Sequence, residues 1–396
     1  MQGAYGVTGV WKGGWDEAGL GRWAAMLRAR LDAPEVTFGL VFITSALFDR
    51  AEELIEILRL KGQIPLLAGC SGGGVIGDSD EFEGGSEIVL ALYHLPGTQM
   101  HGFHFTSEDV DEAQSGEHWH SRTGLDATEP GGWLVFASPF DLNGEAWLRT
   151  WNAAFPGVPT IGGLSSGIFS PPRTQVYLNG EVYEEGLVAV ALTGDVRIET
   201  VVSQGCTPIG ESWTITKAER NFILGIANRP AYSVLLETFN GLTHEEQVKS
   251  QNNLFIGIAS DEYHDEFRRG DFLIRNLLNA DPKNGALAVG AQPRPGQTIQ
   301  FQRRDPQTAG EELAALLADA RRRIGKRVVY GGCVCLCNGR GARLFGRPGH
   351  DAGLIQEQLG PLPVVGFFGN GELGPIGNRN YLHGYTAALG VFVRKE

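Results

Sequence analysis

The 396-residue sequence predicts a mixed α/β fold with partly antiparallel sheets, built from repeated strand-helix-strand-turn-strand units with helices on the outside, in two domains. Three observations carry that expectation. Apolar runs of strand length alternate with amphipathic stretches of helical spacing, extra strands follow each glycine-rich turn, and the same order of elements returns three times.

The first copy opens with the β-branched and aromatic run Val36 to Ile43, followed by Leu47, Ala51, Leu54 and Leu58 with charges between them, the spacing of a helix with one buried face. Ile64 to Ala68 reads as the next strand, and a glycine-rich turn leads into Ile88 to Tyr93 and Gln99 to Phe105, separated by the bend Pro96-Gly97. The second copy runs through strand Trp133 to Ala137, a helix carrying Trp147, Leu148 and Trp151, strand Val158 to Ile161, a Gly/Ser turn, and strands around Val176 and Leu187 to Leu192. The third begins with a helix that Thr308 and Glu311 would open as a capping box, with Leu313, Leu316, Leu317, Ala320 and Ile324 on one side. Strand Val328 to Leu336, a helix near Asp351 to Leu359 stopped by Gly360, and strand Leu362 to Val365 complete it. Pro65, Gly69 and Gly73 superpose on Pro159, Gly163 and Gly167, and on Pro363 and Gly371, with Phe367 in place of the middle glycine. Two polar stretches, Thr106 to Pro130 and Gly241 to Asn252, read as surface loops, and a domain boundary is expected near Ser212 to Lys217.

Composition narrows the function. Lys and Arg number 33 against 46 Asp and Glu, a net charge of −13, so the electrostatic footprint of a nucleic-acid binder is missing. No apolar run approaches the length of a membrane span, and the first residues lack the pattern of a secretory signal, so a cytoplasmic protein is expected. Five cysteines, an odd number, do not suit a disulfide framework.

The candidate chemistry sits at turns. Cys70 and Ser71 stand in Gly69-Cys-Ser-Gly-Gly-Gly74 after a buried-type strand, at a strand's carboxyl end, where open α/β sheets bind ligands. Neither a P-loop lysine nor a dinucleotide fingerprint follows, and Cys70 reads as a small buried thiol before it reads as a nucleophile. Cys333, Cys335 and Cys337 alternate on one strand, repeating every ~6.6 Å, too far apart to converge on one zinc ion, so core packing is the simpler reading. Cys337 differs because it meets the turn Asn338-Gly-Arg340-Gly. Asn370, Glu372, Arg379 and His383 form a polar cluster on a glycine-rich background, where a backbone-satisfied turn and a binding site are equally good readings. Arg275, inside the apolar run Phe272 to Leu278, requires a partner, either Glu372 or a ligand's carboxylate.

At these residues the chain resembles the FIST family, named for F-box and intracellular signal transduction proteins. The resemblance runs from about Val36 to about Phe392 through Gly69-Cys-Ser-Gly-Gly-Gly74, Gln204-Gly-Cys-Thr-Pro-Ile-Gly210 with Ile215-Thr-Lys217, Gly270-Asp-Phe-Leu-Ile-Arg-Asn276, Cys337-Asn-Gly-Arg-Gly341, and Gly366-Phe-Phe-Gly-Asn-Gly-Glu372 with Leu382-His-Gly384. It implies a lead-in helix region over 1–35, a FIST N-like domain over 36–217 and a FIST C-like domain over 218–396. It also implies a sensory module for an amino acid or similar metabolite, without an established catalytic role. Some bacterial members are reported to hold haem, sense nitric oxide and relay to kinases or cyclic-nucleotide enzymes, and eukaryotic relatives attach the module to an F-box. Neither F-box helices nor a kinase or receiver region is evident here, so output is expected through a separate protein. Carried over by position, Cys70, Ser71, Cys337, Asn338, Arg340, Asn370, Glu372 and His383 are the candidate pocket residues, and Arg275 joins them as an anion-holding cation. The alternatives are a haem sensor with His383 as axial ligand, a hydrolase using Cys70 with His383, and an interaction scaffold.

Overall fold

The structure, a computed structural model, describes residues 5–251, 253–263 and 266–396. Two compact units divide it, one made of the chain up to Val202 together with Leu313–Glu396, the other of Ser203–Glu312.

The first repeat contains β1 (Gly6–Lys12), α1 (Glu17–Arg30), β2 (Phe38–Thr44), α2 (Ala51–Lys61), β3 (Leu67–Gly72), a hairpin of β4 (Gly74–Gly77) and β5 (Asp80–Glu83), and β6 (Glu87–Tyr93). The second contains β7 (Thr98–Phe105), α3 (Ser107–Glu112), α4 (Gly116–Thr123), β8 (Gly132–Ala137), α5 (Gly144–Ala154) and β9 (Thr160–Leu164). After the short pair β10 (Ile168–Phe169) and β11 (Pro172–Arg173) come a hairpin of β12 (Val176–Leu178) and β13 (Glu181–Tyr183), and β14 (Leu187–Gly194). The third starts with β15 (Val196–Ser203), and the chain then builds the second unit from β16 (Cys206–Glu219), β17 (Phe222–Ile226), β18 (Arg229–Pro230), α6 (Ala231–Asn240), α7 (His244–Ser250), β19 (Leu254–Ala259), β20 (Phe272–Asp281), β21 (Ala286–Val289) and β22 (Thr298–Arg304). Helix α8 (Pro306–Ile324) resumes the repeat, followed by β23 (Val329–Cys337), α9 (Ala342–Phe345), α10 (His350–Leu359), β24 (Val364–Gly369), a hairpin of β25 (Gly371–Ile376) and β26 (Arg379–His383), and β27 (Ala387–Arg394).

Each repeat forms one six-stranded sheet, and each sheet is completed by a neighbour's hairpin. The orders are β1-β6-β2-β3-β12-β13, β7-β14-β8-β9-β25-β26 and β15-β27-β23-β24-β4-β5. The hairpin of repeat 2 therefore extends the sheet of repeat 1, that of repeat 3 extends repeat 2, and that of repeat 1 extends repeat 3, a closed cycle of exchange. In all three sheets the central pair, β2 with β3, β8 with β9 and β23 with β24, is parallel, as a strand-helix-strand crossover requires.

Period-2 alternation sorts these strands between two layers. Phe38, Leu40 and Phe42, Leu134 and Phe136, and Cys333 and Cys335 face a shared inner core. Val41 and Ile43 face outward to α1 and α2, Trp133, Val135 and Ala137 to α4 and α5, and Val334 and Leu336 to α8 and α10. Strands buried on both faces explain the continuous apolar runs. In the inner core one large ring from each sheet meets the others, Phe42 lying 5.4 Å from Phe136 and 5.0 Å from Phe367, with Phe136 and Phe367 5.9 Å apart. Their parallel neighbours are small: Cys70 beside Phe42, Gly163 beside Phe136 and Cys335 beside Phe367. Cys70 and Cys335 thus hold the small places in a layer whose large places are phenylalanines.

The repeats align by stereochemistry. A Cβ on Gly69, Gly162 or Gly366 would stand 1.7, 2.0 or 1.9 Å from the carbonyl oxygen of Val41, Val135 or Val334, its parallel partner in each case. The equivalent glycines are therefore 69, 162 and 366, one residue earlier in repeats 2 and 3 than alignment on the prolines gives, and Phe367 replaces no glycine.

The second unit is a closed antiparallel barrel in the order β16-β22-β19-β20-β21-β17, with β17 pairing back to β16. Its core includes Ile215, Ile223, Ile256, Leu287 and Phe301. The boundary expected at 217/218 falls inside β16, and the expected helical lead-in before Val36 is strand β1 plus helix α1, with residues 1–4 outside the described residues.

Three local expectations are corrected. Thr106 to Pro130 is not a loop but carries α3 and α4, because Trp119 is fully buried beside Trp151 and its ring nitrogen donates to Thr150 Oγ at 3.0 Å. Between Gly241 and Asn252 lies α7, capped by Thr243 and Glu246; Asn252 itself is outside the described residues. Helix α8 is capped by Asp305, which accepts from the Thr308 amide at 2.8 Å and the Thr308 hydroxyl at 2.7 Å, rather than by Thr308 itself.

Candidate functional site

The three equivalent glycines are each followed, four residues on, by a turn residue, and these are Gly73, Ser166 and Asn370. They meet. The Gly73 amide donates to Phe368 O at 2.9 Å, Ser166 to Ser71 O at 3.0 Å, and Asn370 to Leu164 O at 3.0 Å. Every donor belongs to one repeat and every acceptor to the next in the same cyclic sense as the exchanged hairpins.

A fourth turn, leaving β23, closes over this ring. Asn338 Nδ2 donates to Ser166 Oγ and to Asn370 Oδ1, both at 2.9 Å, and its backbone amide donates to Gly369 O at 3.0 Å. Asn370 Nδ2 donates to Ser165 O at 3.0 Å. A Cβ on Gly73 would lie 2.4 Å from Asn338 Oδ1, so any larger residue here would have to displace the Asn338 side chain. Ser71 is fully buried and bound on both sides by Gln175, whose amide donates to Ser71 Oγ and whose carbonyl accepts from the Ser71 amide, each at 2.9 Å. Gly73 is exposed and Asn338 and Asn370 are half-buried, so the hub presents amide groups to solvent.

Cys337, Glu372 and His383 lie beside the hub, the first two tied together through Thr386. The Cys337 amide donates to Thr386 O, the Thr386 amide donates to Glu372 Oε2, both at 3.0 Å, and Glu372 faces His383 across the β25–β26 hairpin. Sequence residues from β23, β25 and β26 are thus brought into one region at the carboxyl ends of β23 and β24. Cys337 is half-buried, and its sulfur accepts from the Gly339 amide at 3.4 Å.

Other expectations are revised. Cys70 is completely buried, and its thiol is pushed well up by that burial and then by Cys333, so the nucleophilic thiolate of a hydrolase is disfavoured at this position. Arg340 is fully buried and paired with Asp351, Nε to Oδ2 at 2.5 Å and Nη2 to Oδ1 at 2.9 Å. Burial works to raise the Asp351 carboxyl, yet the Arg340 guanidinium outweighs it and holds it at about 2. Its charge is balanced inside the protein, so Arg340 anchors the turn after Cys337 instead of presenting a cation to an anionic ligand. Arg275 lies on β20 in the second unit, opposite Ile256, where its Nη1 donates to Ile274 O at 3.1 Å. His383 is 3% exposed and its Nε2 lies 3.0 Å from Gly374 O, so axial ligation of haem would first break that bond and open the hairpin, and the residues present do not fit such a site.

Sequence reasoning missed Ser166, Ser165 and Gly73 as hub members and Asp351 as the partner of Arg340. Ser166 was detectable, since it stands four residues after a glycine of the repeated turn once the copies are aligned on that glycine.

The sequence matches the FIST N domain over residues 37–229 and the FIST C domain over residues 231–375. An uncharacterized protein of Mycobacterium tuberculosis is 35% identical over 349 residues, covering 87% of this chain and 88% of that protein. An uncharacterized protein of Mycobacterium bovis is 33% identical over 345 residues, 87% of each. Among the described residues no helix is long and apolar enough to cross a membrane.

Proposed function

The chain belongs to the FIST family of signal-transduction domains, and from that premise we propose that it is a sensory module whose small ligand, an amino acid or similar polar metabolite, seats on the hub formed by Gly73, Ser166, Asn338 and Asn370. The observation that supports the reading is the convergence of three turns, one from each repeat, beneath a fourth turn whose Asn338 side chain bonds two of them. Such a point senses well, because a ligand bound there touches every repeat and any shift is shared through the exchanged hairpins. The donors and acceptors are amides and hydroxyls, which suits a neutral or zwitterionic ligand better than a strongly anionic one. Output passes to a separate signalling protein through a ligand-dependent shift between conformations of unequal affinity. Five unbridged cysteines suit the reducing cytoplasm as the place of action.

Thermal unfolding against a panel of free amino acids and small polar metabolites tests it. A binder at one hundred times its Kd adds about 2.7 kcal/mol of stability. The expected result is a rise in Tm for one chemical class, lost in Asn338→Ala. A panel without any shift, or a shift that persists unchanged in Asn338→Ala, overturns the reading.

A further inference from the structure

Between the start of β9, the middle of β15, the end of α8 and the β25–β26 turn lies a cleft of about 480 Å³ lined by Pro159, Glu199, Thr200, Arg323, Gly377 and Asn378 among others. Its volume falls within the range that encloses a small metabolite. Gly377 and Asn378 are exposed, so the cleft opens to solvent at the β25–β26 turn.

Glu199 and Arg323 line the cleft as members of a charged cluster whose other arginines, Arg197 and Arg327, are not among its lining residues. Three guanidiniums converge on the Glu199 carboxylate: Arg197 at 2.5 Å, Arg327 at 3.2 Å and Arg323 at 3.5 Å. Arginine stays charged in proteins, so one carboxylate facing three guanidiniums leaves two positive charges in a protein whose net charge is −13. Arg323, on the last turn of α8, and Arg327, just past its end, both reach Glu199, whose carboxylate offsets the repulsion between them. Glu199 and Arg327 are each only 12% exposed, so water screens that pair weakly, whereas Arg197 and Arg323, 39% and 51% exposed, hold their charge where solvent and a ligand can reach it. Arg197 Nε and Arg327 Nη1 are buried donors without a hydrogen-bond acceptor among the described residues. Donors of this kind are normally satisfied. Arg323, half-exposed, donates through Nη2 to Thr200 O at 3.0 Å and reaches the cleft wall, where the Thr200 hydroxyl and the Asn378 amide add neutral hydrogen-bonding groups.

We propose that this cleft binds a small phosphate monoester, its dianion set against Arg323 and the positive charge that Arg197 and Arg327 add behind Glu199. A dianion matches the two uncompensated charges, and guanidinium groups are suited to phosphate oxygens. The site is distinct from the hub and does not depend on it.

Isothermal titration of the full-length protein with glycerol 3-phosphate, inorganic phosphate and uncharged glycerol tests the assignment. Glycerol 3-phosphate and inorganic phosphate should bind, weakening as salt rises, and glycerol should not. Arg323→Ala, at a half-exposed position that leaves the fold intact, should weaken binding at least about tenfold, the loss of one charge-assisted hydrogen bond. Glu199→Gln should tighten it, because one opposing charge is removed. Asn338→Ala should leave it unchanged, which separates this site from the hub. Absence of binding by both phosphates, equal binding in Arg323→Ala, or binding of a phosphoserine peptide alone overturns the proposal.

Discussion

Asn338 donates its side-chain amide to the Ser166 hydroxyl at 2.9 Å across 172 positions of sequence, joining the third repeat to the second. The same nitrogen donates to Asn370 Oδ1, so a single amide ties two of the three turns that ring the hub. Hydrogen bonds between side chains this far apart in sequence form only when each repeat is folded and docked. They therefore report on the docking of the second and third repeats rather than on any one sheet.

Replacing Asn338 with Ala removes both bonds and leaves Ser166, which is buried, short of a partner, so a loss of about 1–3 kcal/mol is expected. Asn338→Asp is the sharper variant. It swaps the donor for a carboxylate facing the Asn370 carbonyl oxygen, and it should destabilise more than Ala at neutral pH. Urea unfolding of both variants followed by tryptophan fluorescence checks the order, and an Asp variant more stable than the Ala variant contradicts the assigned amide orientation.

The Arg340–Asp351 pair predicts a different pattern. Both side chains are completely buried, so removing one partner abandons a charge in the interior. Arg340→Ala should cost about 3–5 kcal/mol, whereas replacing both residues by leucine or methionine should cost far less. A double-mutant cycle from denaturant melts measures the difference, and additive losses would show that the pair is not coupled.

The same pair shapes the acid limb of stability. The Asp351 carboxyl is held at about 2 in the folded protein, below the ~3.9 of an unfolded chain. A depressed folded value means that this contribution is complete above the unfolded pKa and is lost as pH falls from near 4 towards 2, about 2–3 kcal/mol in all. Glu81, whose carboxylate accepts from the Asp351, Ala352 and Gly349 amides, works the other way. Burial raises its carboxyl, with the Asp351 charge adding to the rise, so its own contribution grows as pH falls and blunts the loss. Asp351→Asn should flatten the acid limb. Unfolding free energies measured from pH 6 to pH 3 in wild type and variant read this out, and an acid limb of equal slope in both would exclude Asp351 as its source.

Much of the first unit is readable from residue order alone. The strands at Val36 to Ile43 and Trp133 to Ala137 declare themselves because both faces are buried and the runs are continuous, and repetition of the turn glycines marks the three copies. What stays hidden is non-local. Nothing near Gly74 says that β4 will pair with β24, nearly three hundred residues away, because hairpin exchange leaves the local pattern of each strand unchanged. Trp119 escapes notice for a related reason: one aromatic ring carries the burial of a short polar helix, so no periodicity is left to see. In the site, Asn338, Asn370 and Ser71 stand out as polar residues at glycine-rich turns. Arg340 misleads, because a sequence displays its charge without displaying Asp351 beside it.

The glycine alignment makes the last prediction. Gly69, Gly162 and Gly366 all lie where the partner valine's carbonyl oxygen occupies the space of a Cβ, at 1.7 to 2.0 Å, and that oxygen is backbone and cannot rotate away. Alanine at any of the three must push apart the central parallel pair of its sheet, at a cost of about 3 kcal/mol or more, the upper end of what overpacking produces. Gly69 and Gly366 have ordinary backbone angles, so at these two the loss is steric alone, whereas Gly162, with φ +131°, adds backbone strain. The control is Gly353, on a helix with open space around its Cα, where alanine should be neutral or stabilising. Thermal melts of the four single alanine variants decide the matter. Wild-type-like Tm in Gly69→Ala or Gly366→Ala would mean that the parallel strands do not approach so closely, and the equivalence of the three repeats would have to be drawn from other residues.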